Sequence, residues 1–286
     1  MITLQNDYLR IKVVPLGAEL CSLYDRLHRR EYIWPAGKAW PKHSPVLFPI
    51  VGQLKDNQYL HNGIAYTLPR HGFAREKTFT LAEQTDDRLV FRLTEDSSTL
   101  LSYPFRFVFD VIYTLQKNSL TVTYRVHNPG DEELYFSVGA HPAFRVPQDV
   151  RHSYNDYYLE FEKEETSGRR ALENGLVATT TTPFFNGRKL PLTKELFHHD
   201  ALVFNRMQSD YVDLRTDKNP HGIRFFIHQC PYLGIWAAKD TDFICIEPWN
   251  GIADSINSNG NLKEKEGIQI LAPLQEFTTN WGVMLI

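Results

Sequence analysis

Apolar and polar residues alternate with a period of two along much of the chain. Leu9, Ile11 and Val13 alternate with basic residues, and the same alternation runs through residues 120–127 and 223–227. Because successive side chains of a strand point to opposite faces, each segment predicts a strand with one buried face. The sequence shows neither a long amphipathic helix nor an alternation of strands with helices that would indicate a parallel sheet. The pattern therefore predicts an all-β chain of antiparallel strands.

Turn-forming pairs separate the predicted strands. Asn-Gly occurs at residues 62–63, 174–175, 186–187 and 259–260. Both residues tolerate positive φ, so each pair favours a tight hairpin. Thr193 is expected to cap one short helix over the next four residues. No linker rich in Gly, Ser or Pro divides the chain, so we expect residues 1–286 to form one large domain, a wide β-sandwich.

Composition excludes several classes of protein. Lys and Arg number 31 and Asp and Glu number 34, a net charge of −3, which opposes nucleic-acid binding. No run of about 18 apolar residues predicts a membrane span, and the N-terminus has no secretory pattern. Three cysteines form neither a disulfide framework nor a Cys-type zinc site, and they fit a reducing cytosol. We therefore expect a cytoplasmic protein with no membrane or nucleic-acid partner.

Two histidines lie in segments typical of functional turns. Residues 69–75 read PRHGFAR and set His71 among arginines. Residues 136–144 read FSVGAHPAF, where alternation places His141 on the face opposite the core, after two small residues that leave room for a ligand. Taken alone, His71 also fits an exposed loop, and His141 also fits a histidine that bonds a neighbouring carbonyl.

A third segment carries a carboxylate. Residues 243–251 read FICIEPWNG, so an apolar strand delivers Glu247 just before Trp249. Apolar neighbours desolvate a carboxylate, which raises its pKa and its basicity, and an indole can stack on a sugar face. The alternative is a surface glutamate beside a core tryptophan. Adjacent histidines at residues 198–199 point in different directions and form a poor metal pair, whereas Asp200 stays a candidate pocket carboxylate.

Acid–base chemistry fits these residues better than a metal. His71, His141 and Glu247 are far apart in sequence, and no closely spaced histidine pair anchors a metal, so we expect neither metal nor cofactor. One imidazole and one carboxylate of raised pKa form a complementary acid and base. The motifs G-x-S-x-G, G-x-G-x-x-G and H-E-x-x-H are missing, as is a Walker loop, which disfavours the common hydrolases, nucleotide enzymes and zincins.

The segments together, in their order, resemble the aldose 1-epimerase (galactose mutarotase-like) family, and within it the LacX-type branch. The matching segments are residues 44–52 (SPVLFPIVG), 71–75 (HGFAR), 139–144 (GAHPAF) and 247–249 (EPW). The resemblance implies a large antiparallel β-supersandwich with few short helices. It also implies a cofactor-free isomerase that interconverts the α and β anomers of a free hexose, acting as a monomer or homodimer on a small sugar.

The resemblance also implies roles for individual residues. Glu247 matches the base that deprotonates the anomeric hydroxyl, and His141 matches the acid that protonates the ring oxygen. His71 and Asp200 match residues that hold the sugar. Further substrate contacts are expected from Arg75, Gln53 and Trp249.

One departure from the family leaves the substrate open. Related sequences usually carry an arginine where this chain has Gln53, which offers no charged bidentate fork. A hexose phosphate would need an arginine cluster, for which Arg70, Arg75 and Arg145 are candidates. A sugar-binding or sensing protein without turnover also fits the pattern, as does a β-sandwich polysaccharide lyase.

Overall fold

The structure is a computed structural model that describes residues 1–227 and 230–286, and strands dominate it. In chain order the strands are β1 (Ile2–Gln5), β2 (Leu9–Val14), β3 (Glu19–Asp25), β4 (Arg30–Glu31), β5 (Val46–Leu47), β6 (Gln58–His61), β7 (Ile64–Thr67), β8 (Thr80–Gln84), β9 (Arg88–Thr94), β10 (Val108–Gln116), β11 (Ser119–His127), β12 (Leu134–Phe136), β13 (Val138–Ala140), β14 (Ala143–Arg145), β15 (Tyr157–Glu165), β16 (Gly168–Glu173), β17 (Leu176–Pro183), β18 (Gly187–Pro191), β19 (Leu202–Asn205), β20 (Tyr211–Thr216), β21 (Ile223–Phe226), β22 (Tyr232–Trp236), β23 (Phe243–Asn250), β24 (Gln269–Leu271) and β25 (Glu276–Leu285).

Two large antiparallel sheets make up most of the described chain. One sheet runs in the order β18-β15-β20-β21-β25-β11-β10-β9-β8, and the other in the order β17-β16-β19-β22-β23-β13-β5, with β14 also paired to β23. A smaller sheet contains four strands in the order β1-β2-β3-β4. Two further ribbons pair β12 with β24 and β6 with β7. The prediction of an all-β, antiparallel architecture is confirmed.

Burial follows the alternation in the sequence. In β2 and β11, buried residues alternate with partly exposed ones along each strand, so each presents one face to the core. The Asn-Gly pair at residues 62–63 joins β6 to β7, and the pair at residues 174–175 joins β16 to β17, as expected for two-residue hairpins. The pair at residues 186–187 joins strands of different sheets, and the pair at 259–260 lies in a loop, so the hairpin prediction is wrong at both.

Helices in the described chain are short. The 3-10 helices are Lys55–Asn57, Ala74–Glu76, Tyr154–Asp156, Lys194–Phe197 and Leu262–Glu264. Thr193 stands at the N-cap of Lys194–Phe197, as predicted, but its side chain makes no capping hydrogen bond. The single α-helix within the described residues, Ser97–Ser102, has the stronger cap, since Asp96 accepts from backbone N–H groups and Thr99 completes a capping box. None of these described helices has the length and apolar character needed to cross a membrane.

Phe48 connects the two large sheets in the core. It follows β5, and its ring stacks on Phe109 of β10 at 4.5 Å between centroids and packs 6.0 Å from Phe136. Its carbonyl oxygen accepts hydrogen bonds from the N–H groups of Phe73 and Ala74, at 3.0 and 3.1 Å. One fully buried residue therefore links both sheets to the turn that carries the HGFAR segment.

We expect Phe48→Ala to lower the free energy of unfolding by about 3–5 kcal/mol, because removal of the ring leaves a cavity that the neighbouring side chains cannot fill. Leu101→Ala is the control, since Leu101 is 82% exposed, and it should change stability by less than about 0.5 kcal/mol. Urea unfolding followed by tryptophan fluorescence measures both. Equal losses in the two variants would contradict the role of Phe48.

Candidate active site

Strand β23 carries Glu247 and Trp249 into the middle of the second sheet. It pairs with β22 on one side and with β13 and β14 on the other. A Cβ at Gly139 of β13 would lie 2.6 Å from Trp249 Cδ1, and one at Gly234 of β22 would lie 2.5 Å from Trp249 Cζ2. The indole thus spans a slot that exists only because both neighbouring strands have glycine there. This slot fixes the indole in the sheet surface.

A cavity of about 330 Å³ opens over this part of the sheet, a volume at the small end of the range for small-molecule sites. The residues predicted from sequence that line it are Glu247, His141, His71, Arg75, Asp200 and Trp249. Further lining residues that the sequence did not single out are Trp40, Trp236, Leu172 and Val177. The fold therefore gathers the separate sequence segments around one space.

His141 and Glu247 lie together at the base of the cavity. His141 Nε2 is 3.3 Å from Glu247 Oε2, and their side chains are 10% and 1% exposed. Despite this approach Glu247 Oε2 makes no well-aligned hydrogen bond, and His141 Nδ1 and Trp249 Nε1 also lack a hydrogen-bond partner among the described residues. Buried polar atoms normally have partners, so a cluster of unpartnered ones marks a place where a polar ligand would supply them.

Burial favours the neutral form of both groups. It lowers the pKa of His141 to about 3, with help from the positive charges of Arg75 and Arg70. It raises the pKa of Glu247 well above its usual range, and the nearby carboxylate of Asp200 raises it further. Burial therefore favours a neutral imidazole at His141 and a protonated carboxyl at Glu247 in the ligand-free site.

His71 is held in one tautomer by a glycine. The N–H of Gly52 donates to His71 Nδ1 at 3.1 Å, and the N–H of His71 donates to the Gly52 carbonyl at 2.8 Å. Nδ1 is thus an acceptor, which leaves the proton on Nε2. Burial and the neighbouring His141 lower the pKa of His71 well below its usual value, so the ring is neutral. His71 has a φ of 69°, a left-handed conformation that is unusual for histidine.

Two tryptophans that the sequence did not single out enclose His141. Trp40 stacks on the imidazole, with centroids 5.1 Å apart and planes at 26°. Trp236 of β22 meets it edge-on at 5.5 Å. Trp40 lies in a stretch rich in proline and aromatic residues, a signal of a packed connection, whereas Trp236 looks like any aromatic residue of a strand. Their rings add to the burial that lowers the pKa of His141.

The candidate arginines separate into two groups. Arg70 and Arg75 line the cavity, whereas Arg145 of β14 faces a different cleft beside Trp34. Gln53 does not line the cavity in the described structure, although its side chain ends next to the guanidinium of Arg70. The substrate contact of Gln53 stays a prediction.

Asp200 reaches the cavity from the loop before β19. Its φ is 73°, and its Oδ1 accepts a hydrogen bond of 2.8 Å from the N–H of Ala201. The neighbouring His198 points elsewhere and pairs with Asp240 at 3.2 Å. The charged side chains that line the cavity beside Glu247 are therefore Asp200, Arg70 and Arg75.

Among the residues that the structure describes, two groups of side chains have the spacing of metal ligands. The potential ligand atoms of His141, Cys245 and Glu247 lie within 4.8 Å of one another, as do those of Glu19, Cys21 and His43. Burial raises the pKa of the Cys245 thiol well above its usual value and that of Cys21 to about 12. Burial thus disfavours the thiolate, which is the form of cysteine that binds a metal.

Comparison with known proteins agrees with this architecture. A sequence model of the family described as aldose 1-epimerase matches residues 1–269. The chromosomal protein LacX of Lactococcus lactis subsp. lactis is 31% identical over 297 aligned positions, covering 100% of this chain and 99% of LacX.

Two solved structures are similar over the full chain. A galactose mutarotase related enzyme from Lactobacillus acidophilus has 33% identity and a TM-score of 0.95, with 100% of this chain and 97% of that chain covered. A galactose mutarotase-like protein from Lactobacillus casei has 29% identity and a TM-score of 0.91, with both chains covered completely. These matches confirm the galactose mutarotase-like β-supersandwich, and the chain belongs to the aldose 1-epimerase family.

Proposed function

We propose that the cavity binds a free hexose such as glucose or galactose and interconverts its α and β anomers by acid–base catalysis. The observation that carries this proposal is the buried His141–Glu247 pair, 3.3 Å apart, at the base of a cavity with the volume of a small-molecule site. His141, Glu247 and Trp249, which carry the unpartnered polar atoms, line this cavity, and a sugar supplies hydroxyl groups that can pair with such atoms. Trp249 offers the ring face on which a sugar stacks.

The proposed reaction moves two protons in opposite directions. Glu247 takes the proton of the anomeric hydroxyl while His141 gives a proton to the ring oxygen. The bond between the anomeric carbon and the ring oxygen breaks, and the anomeric carbon becomes an aldehyde. Rotation about the adjacent carbon–carbon bond presents the other face, and the reverse transfers close the ring. The pair carries one proton throughout, so the total charge of the site does not change.

In the ligand-free pair, burial favours the proton on Glu247, whereas ring opening starts with the proton on His141. The distance of 3.3 Å between Nε2 and Oε2 is short enough for the proton to pass between them once the groups align. Both forms are needed in every cycle, one for opening and one for closing. Each positioned acid or base typically contributes roughly 10²–10⁴-fold, which suffices for a reaction that already proceeds in water.

His71 serves as a neutral hydrogen-bond donor in this scheme. Its Nδ1 is occupied by the Gly52 N–H, so Nε2–H is the group left for the sugar. A neutral donor avoids adding a positive charge next to His141, which would hinder that ring from accepting its proton.

A second candidate substrate is a hexose phosphate. Arg70 and Arg75 both line the cavity, and guanidinium groups bind phosphate with charge-assisted hydrogen bonds. Asp200 opposes this candidate, because a carboxylate at the same cavity repels a phosphate. NMR magnetisation exchange between anomers distinguishes the two substrates.

In that experiment we expect the protein to accelerate anomer exchange of D-glucose or D-galactose. The acceleration should be larger than the one measured for the corresponding 6-phosphate. A larger acceleration for the phosphate would favour the second candidate. Binding of the sugars without any acceleration would indicate a sugar-binding protein instead.

Glu247→Gln should lower kcat by roughly 10²–10⁴-fold, because an amide of the same shape cannot accept the proton. The fold should persist, since burial already keeps Glu247 uncharged. Glu173→Gln makes the same chemical change on an exposed hairpin residue and should exchange anomers like the wild type. Wild-type exchange by the Glu247 variant would overturn the assignment of the base.

The pH profile of kcat/KM should not show the loss of activity below about pH 6.5 that an ordinary histidine would cause. His141 must be neutral in the resting pair, so activity is present above its pKa of about 3 and is lost as pH falls through that value. We expect kcat/KM to stay within about twofold from about pH 7 to about pH 5, whereas an unshifted imidazole would cost roughly 25-fold. The Glu247→Gln protein at each pH measures the spontaneous rate to subtract. A loss that follows a pKa near 6.5 would contradict the buried, neutral pair.

A further inference from the structure

One charged group at the rim of the cavity has no part in the acid–base step. Arg70 lines the cavity next to His71, and its guanidinium makes no hydrogen bond or ion pair within residues 1–227 and 230–286. Arg75 differs, since its Nη2 donates to the Arg70 carbonyl at 3.0 Å and its Nε lies 3.8 Å from Glu76 Oε1. All the donors of the Arg70 guanidinium are therefore available to a ligand, whereas Arg75 has one of its donors engaged.

A hairpin turn determines where this guanidinium lies. Gly175, in the turn between β16 and β17, also lines the cavity. A Cβ at Gly175 would lie 2.1 Å from Arg70 Nη2 and 2.5 Å from Gln53 Oε1. The guanidinium and the amide of Gln53 therefore rest directly against the backbone of the turn, in space that any side chain at residue 175 would occupy.

The charge of Arg70 also reaches the reacting groups. It lowers the pKa of both His71 and His141, and it lowers the pKa of Glu247 against the effect of burial. A guanidinium that all three groups sense lies close to where their common substrate would bind. This electrostatic effect and the contact with the turn both place the Arg70 guanidinium near the reacting groups.

We propose that Arg70 is a specificity-determining residue that donates hydrogen bonds to oxygen atoms of the sugar, and that Gly175 keeps it in place. This inference rests on the proposed function for the identity of the ligand. A planar guanidinium presents a fork of donors to adjacent oxygens, which a flexible ammonium does not. Gln53, beside it, adds a carbonyl oxygen and an amide group, so the two side chains form one polar edge that can both donate and accept.

The chain contains a matched control for the turn. Gly63 is the second residue of the other Asn-Gly hairpin and has a φ of 77°, against 83° for Gly175, but a Cβ there would meet nothing within 4 Å. Alanine at either position carries the same backbone penalty, so Gly63→Ala and Gly175→Ala should lower Tm equally from that cause. Only the second substitution also displaces Arg70 and Gln53.

The test measures Kd for D-glucose and D-galactose by ligand-observed NMR, and KM and kcat by anomer exchange. Gly175→Ala should raise KM and Kd by roughly 10-fold or more and leave kcat within about threefold, since a lost hydrogen bond to a charged donor weakens binding by that factor. Gly63→Ala should bind like the wild type. Arg70→Gln should match the effect of Gly175→Ala, and Arg70→Lys should recover only part of the affinity.

The double variant Arg70→Gln/Gly175→Ala shows whether the turn acts through the arginine. We expect its Kd to equal that of Arg70→Gln alone, because residues that act on one contact are not additive. Equal Kd values for Gly63→Ala and Gly175→Ala, or wild-type binding by Arg70→Gln, would overturn the inference. Wild-type protein that binds sugar without accelerating exchange would overturn the proposed function, while the Kd series would still decide the role of Arg70.

Discussion

The site depends on the slot that receives the indole of Trp249. An indole lying across the neighbouring strands of a sheet needs glycine on both sides, and Gly139 and Gly234 meet that requirement. Glu247 precedes Trp249 by two residues, so the register that aligns the indole with its slot also fixes the carboxylate on the same face of β23. A shift of one residue would turn both side chains to the opposite face. Packing and chemistry thus share one constraint, which the hydrogen bonds of the central strands maintain.

Around this strand the protein builds a site where charge is unfavourable and hydrogen-bonding capacity is unused. The aromatic rings of Trp40 and Trp236 bury His141, while the sheet buries Glu247, and both groups respond by becoming neutral. A proton that moves from Glu247 to His141 keeps the net charge of the pair at zero but creates two opposite charges, and their attraction across 3.3 Å must offset the cost of burying them. The unpartnered atoms around the pair are orphaned only while no polar ligand is present.

Much of this arrangement could be predicted from the sequence, because a period of two assigns faces without knowledge of distant contacts. It predicted the inward faces of β2 and β11, and it placed His141 on the face opposite the core and Glu247 among apolar neighbours that desolvate it. The sequence could not show that Arg70 joins the cavity while Arg145 leaves it, since that depends on where loops and strands meet in space. Gly175 was visible only as part of a turn; its contact with Arg70 joins residues more than a hundred positions apart. Hairpins failed to form at residues 186–187 and 259–260 because the sheets, rather than the local turn preference, decide which strands pair.

The left-handed backbone at His71 and Asp200 has a consequence for how such a protein can change. Each non-glycine residue in this region costs on the order of 1 kcal/mol, and both lie at the cavity rather than in the framework. The backbone at these two positions is therefore less stable than glycine would make it, at a place where the ligand would bind. Relatives that abandon the chemistry are free to place glycine or asparagine at these two positions and gain stability. The amino acids found there across the family would thus record which members still have a use for the site.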